Sequence, residues 1–64
     1  MEQIRVLREK AGLSREVLSG LAGVSAQTVY RVERGESERM SSIIKIAEAL
    51  GYRVEIVLKP AEAS

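Results

Sequence analysis

Apolar residues recur at intervals of three and four through the first fifty positions, then give way to strict alternation. Over about residues 2–11, Ile4, Leu7 and Ala11 make one apolar stripe among Arg5, Arg8, Glu9 and Lys10, which predicts an amphipathic helix that Gly12 ends. Ser14 opens a second helix, because its hydroxyl can accept from an orphan backbone N–H, and Val17, Leu18, Leu21 and Ala22 fall at helical spacing. Gly23 stops that helix, and Val24 turns inward as a plug. Ser25 caps a third helix in which Val29 and Val32 face inward and which Gly35 ends. Met40 is expected to supply a core side chain. From about residue 42 to 50 a fourth stripe, Ile43, Ile46, Ala47 and Leu50 with Ile44 beside it, predicts a helix ended by Gly51; Ser37, Ser41 and Ser42 are its candidate caps.

The alternation follows. Tyr52, Val54, Ile56 and Leu58 fall on one side, Arg53, Glu55 and Val57 on the other, and the segment is rich in β-branched residues, so 52–58 reads as a strand. One strand cannot satisfy its own backbone. No other stretch reads as a strand, so the expected partner is the same segment of a second subunit, paired antiparallel across a two-fold axis; a frayed fifth helix and an extended tail on its own core are the other readings. Pro60 cannot donate to a ladder, and residues 60–64 read as a flexible tail.

Sixty-four residues allow one domain and one small core, and the chain has no Cys and no His. Disulfides are therefore excluded and the commonest zinc ligands are absent, which leaves oligomerisation as the route to added stability. No metal and no cofactor is expected. Ten basic residues face nine acidic ones, with six against four in residues 1–34 and four against five in 35–64. A nucleic-acid binder with so little net charge must gather its basic groups on one face. No apolar run approaches membrane-spanning length, so a cytoplasmic, nucleoid-associated protein is expected.

The stretch from Leu13 to Gly35 resembles the helix-turn-helix of the lambda repressor/Cro-type DNA-binding family. Its landmarks are Leu13-Ser14, Gly23-Val24-Ser25 in the turn, Gln27-Thr28-Val29 and Val32-Glu33-Arg34-Gly35, in register with Ala47-Glu48-Ala49-Leu50-Gly51 downstream. The resemblance implies a mostly α fold, a four- to five-helix lambda-repressor-like domain over residues 1–59. The strand at 52–58 departs from the short fifth helix of many relatives and is similar to the antitoxin-like branch.

The resemblance also implies roles for particular residues. The third helix would enter the major groove, with Ala26, Gln27, Tyr30 and Arg31 facing the bases: Gln27 suited to adenine, Arg31 to guanine, Ala26 to a thymine methyl. Tyr30 fits a stack on the backbone or a base edge, and equally a place at the edge of the core. Ser25 and Thr28 would contact phosphate beside the positive helix end, with Arg34 and Arg39 as further phosphate ligands or solvated surface arginines. Arg15 stands where a glutamine is frequent and takes over its phosphate contact. Arg8 would pair with Glu33, tying the first helix to the recognition helix. Gly20 interrupts the second helix without a functional account, and Glu36 and Glu38 would repel phosphate, so that their loop lies away from the duplex or presents only Arg39.

The reading is a sequence-specific DNA-binding transcriptional regulator, a homodimeric repressor of a near-palindromic operator dimerised through Tyr52, Val54, Ile56 and Leu58. The alternatives are an antitoxin that represses its own operon and binds a toxin, and a protein-interaction module on the same fold without DNA binding. An enzyme fits worst, since the chain lacks His, Cys and a glycine-rich phosphate loop.

Overall fold

A computed structural model describes residues 1–36 and 39–62. Four helices follow one another: α1 (Glu2–Lys10), α2 (Arg15–Ala22), α3 (Ala26–Glu33) and α4 (Met40–Ala49). The two caps at the centre of the chain set its course. Ser14 Oγ accepts from the Val17 N–H at 3.1 Å and Ser25 Oγ accepts from the Thr28 N–H at 3.0 Å, so each serine satisfies one orphan donor of the helix it opens. Between them Gly23 takes the left-handed conformation, φ 74°, and the N–H groups of Gly23 and Val24 both donate to the Ser19 carbonyl. This turn brings α3 back against α2.

One residue or two from each helix builds the core: Ile4 of α1, Leu18 of α2, Val29 and Val32 of α3, Ile46 of α4. Val24 and Leu50 are half-buried against it, as are Leu13, Ala22 and Ile43. With Leu18 and Ala22 turned inward, Val17 and Leu21 sit one residue, about 100° of helix, away from the core direction. Both are exposed, and the apolar spacing of that helix overstates its inward face.

The fourth helix corrects two expectations. It begins at Met40, with Arg39 as N-cap residue and no side-chain cap bond, so neither Ser41 nor Ser42 caps it; Ser37 lies outside the described residues. Met40 is exposed, because it stands one turn ahead of Ile43 at the free end of the helix, past the reach of the core. The first helix ends at Lys10, one residue short of the expected Ala11, which is its C-cap.

After Gly51 the Tyr52 N–H still donates to the Ala47 carbonyl at 2.9 Å, and residues 53–62 then run without helix or strand. The architecture is four helices with no fifth among the described residues. A strand is defined by its ladder, and a single chain offers residues 52–58 none. Val54 is half-covered, in a groove that it and Tyr52 share with Ile4, Leu7, Ile43 and Ala47. Tyr52, Ile56, Val57 and Leu58 are exposed, Leu58 by 91%. Of the expected tail, Ala63 and Ser64 lie outside the described residues.

Candidate nucleic-acid interface

The face of α3 opposite Val29 and Val32 carries Gln27, Tyr30, Arg31 and Arg34, all exposed. Their spacing of three, four and seven places them in one stripe along the helix. Ala26 and Thr28 are half-buried at its start. The Ser25 and Thr28 hydroxyls are 2.9 Å apart and bond each other, closing the cap around the helix N-terminus. No acidic residue occupies the first turn, so the positive pole of α3 is left uncompensated by its own side chains.

Behind this stripe one carboxylate joins three helices. Glu33 is the last residue of α3, and its side chain is 2% exposed. Arg8 of α1 donates from Nε to Oε2 at 2.5 Å and from Nη2 to Oε1 at 3.3 Å. Arg15, the first residue of α2, donates from Nε to Oε1 at 3.0 Å. Arg8 Nη1 also donates to the Leu13 carbonyl at 2.8 Å, which fixes the loop between α1 and α2. A buried charge needs this much compensation, because desolvation disfavours the ionised form. Burial alone would raise the Glu33 pKa, but the hydrogen bonds and charges of Arg8 and Arg15 outweigh it and hold the carboxyl below its ordinary value. The Glu33 hydrogen bond likewise raises Arg8, against the opposing effect of burial.

Arg15 is shared between this network and the exposed face. Its guanidinium carbon lies 5.2 Å from the Tyr30 ring centroid, and that of Arg34 lies 5.4 Å from the same centroid. Arg34 Nη1 donates to the Tyr30 hydroxyl at 2.7 Å, the largest cause of its raised pKa, and Arg34 Nε is 3.4 Å from Glu36. Arg31 projects from the same stripe. Arg15 and Arg34 thus flank Tyr30 with positive charge, while Glu33 is turned inward and matched by two arginines.

The structure therefore groups Arg15, Ser25, Ala26, Gln27, Thr28, Tyr30, Arg31 and Arg34 along α3 and its flanks. Arg39 is exposed, as the N-cap residue of α4. The bond between Arg15 and Glu33 has no signature in sequence, because it depends on how α2 crosses α3. That between Tyr30 and Arg34 has one: the two stand four apart, at neighbouring positions on a helix surface. Glu38 lies outside the described residues. Among the described residues no cluster of carboxylates has the makings of a metal site, and no helix is long and apolar enough to cross a membrane.

A family model described as a helix-turn-helix domain matches residues 2–55. The chain is also 49% identical over 49 residues to a protein of Pyrobaculum aerophilum named "Putative HTH-type transcriptional regulatory protein PAE1627". That match covers 77% of this chain and 18% of the relative, so the chain spans about a fifth of the relative's length.

Proposed function

Because the chain belongs to the helix-turn-helix domain family, we propose that it binds double-stranded DNA sequence-specifically and regulates transcription, as a homodimeric repressor in the cytoplasm. The observation that carries this reading is the exposed polar stripe of α3, capped by Ser25 and backed by the Arg8–Glu33–Arg15 network. Such a helix fits the major groove, where each base pair presents its own pattern of donors and acceptors. Gln27 pairs with adenine and Arg31 with guanine, each worth about 1–3 kcal/mol of discrimination. The Ala26 methyl meets a thymine methyl. Ser25, Thr28, Arg15, Arg34 and Arg39 take phosphates, which set the register without reading sequence.

The dimer is carried by the segment after α4. Exposed Ile56, Val57 and Leu58 on a stretch with no backbone ladder favour pairing with a second copy, through the face formed by Tyr52, Val54, Ile56 and Leu58. Two recognition helices then stand about 34 Å apart, one helical turn of duplex, and read the halves of a near-palindromic operator. Occupancy excludes polymerase and requires no cofactor. The name of the Pyrobaculum relative supports the regulatory reading.

Titration of a mixed-sequence duplex at two salt concentrations tests DNA binding. Binding that weakens steeply as salt rises supports it, since neutralised phosphates release counterions. A chain that binds no duplex at low salt contradicts it.

A further inference from the structure

Two cations beside one aromatic ring repel each other, and something must hold them there. Arg15 is anchored by Glu33 from behind, at 3.0 Å, and Arg34 by Glu36 at 3.4 Å and by the Tyr30 hydroxyl at 2.7 Å. Each anchor leaves part of a guanidinium free. Neither Nη of Arg15, nor Nη2 of Arg34, has a hydrogen-bond partner among the described residues. The ring contributes its π-face to both guanidinium carbons and its hydroxyl to one of them.

From this geometry we infer that Tyr30 is a positioning residue of a two-arginine clamp, Arg15 and Arg34, for the phosphodiester backbone of one DNA strand, and that it reads no base. The inference deepens the DNA-binding reading above and rests on it. Its physical basis is preorganisation. An exposed arginine ordinarily gives up rotamer freedom when it meets a phosphate, whereas these two are held by the ring and their carboxylates beforehand. The net charge of the cluster suits an anion: Arg8, Arg15 and Arg34 set against Glu33 and Glu36 leave one positive charge over, on the exposed side. The clamp also joins α2 to the C-terminal end of α3, so a strand held there fixes the depth at which Gln27 and Arg31 meet the groove.

The test uses two probes, a duplex enriched by the wild-type protein from a random pool and a scrambled duplex of the same length. Affinity for each is measured between about 50 and 200 mM salt. Arg15→Gln and Arg34→Gln are each expected to lower the salt slope by about 0.9 per subunit, about 1.8 for the dimer. Tyr30→Leu removes no charge, yet is expected to lower the slope as well, to weaken both probes by the same factor of about ten, and to leave base preference unchanged at every position. In the Arg15→Gln/Arg34→Gln background it should add almost nothing. Tyr30 is exposed, and Tyr30→Phe keeps the ring, so it folds even if the leucine variant does not; it should weaken both probes and do so non-additively with Arg34→Gln. A changed preference at one base pair, an unchanged salt slope, or additive losses overturn the clamp while leaving DNA binding in place. A wild-type protein that enriches no duplex from the pool and does not bind the scrambled one at low salt overturns both readings.

Discussion

Arg15 and Glu33 stand 18 residues apart in the chain and meet at 3.0 Å, joining the first residue of α2 to the last of α3. Because Arg8 holds the same carboxylate from α1, the helix proposed to enter DNA is fixed at its C-terminal end by charges from both helices before it. Stability and the proposed DNA contact are therefore linked at one residue, Arg15, and separable at the other two.

Removing Glu33 or Arg8 should be expensive. Glu33→Ala leaves Arg8 buried without its partner and is expected to cost about 3–5 kcal/mol, with Arg8→Ala similar. Arg15 is 40% exposed, and Arg15→Ala is expected to cost less than about 1 kcal/mol while weakening binding to all duplexes alike. Urea unfolding of the single variants and of Arg8→Ala/Glu33→Ala checks this; additive losses in the double variant contradict the pair.

The same carboxylate makes stability depend on pH. Its folded-state pKa is lowered, so the unfolded chain takes up the proton more readily, and the contribution of Glu33 is complete above the ordinary glutamate pKa of about 4.3. It is lost as pH falls through the folded value. The stability advantage of the wild type over Glu33→Gln should be constant near neutrality and shrink below about pH 4.3. An advantage that stays the same at every pH contradicts the charge-based account.

Gly20 lies inside α2, exposed, and a Cβ built there meets nothing within 4 Å. Gly20→Ala should therefore stabilise the chain by about 1 kcal/mol, a rise in Tm of about 4–8 °C for a domain of this size. A lower Tm would mean that the glycine answers to a contact outside the isolated chain.

Ile56 is 67% exposed in the segment assigned to pairing with a second copy. Ile56→Glu should convert a dimer to a monomer in sedimentation equilibrium and weaken operator binding through lost bivalency. A variant that remains dimeric removes residues 52–58 from the interface.

What was legible in the sequence is what local physics decides. Ser14 and Ser25 announce their helices, Gly23 its turn, and the spacing of Val29 and Val32 the inward face of α3. The family landmarks add Arg8 opposite Glu33. What was not legible depends on more than one element. Met40 follows the apolar spacing of α4 but lies beyond the end of the core, and the start of that helix is hidden because Arg39 caps it without a side-chain bond. Val17 and Leu21 have the right spacing and the wrong direction, which only the crossing of α2 with its neighbours fixes. For the same reason Arg15 reads from sequence as a free phosphate ligand, whereas Glu33 and the ring of Tyr30 already hold it.

Sequence-specific DNA recognition by α3 is tested most directly by selecting bound duplexes from a random pool with the wild type, Gln27→Ala and Arg31→Ala at two salt concentrations. The wild type should enrich a two-fold symmetric site, its half-sites about one helical turn apart, with affinity that falls as salt rises. Each variant should relax preference at one base pair per half-site. Enrichment of no sequence, or a preference that neither variant alters, would contradict it.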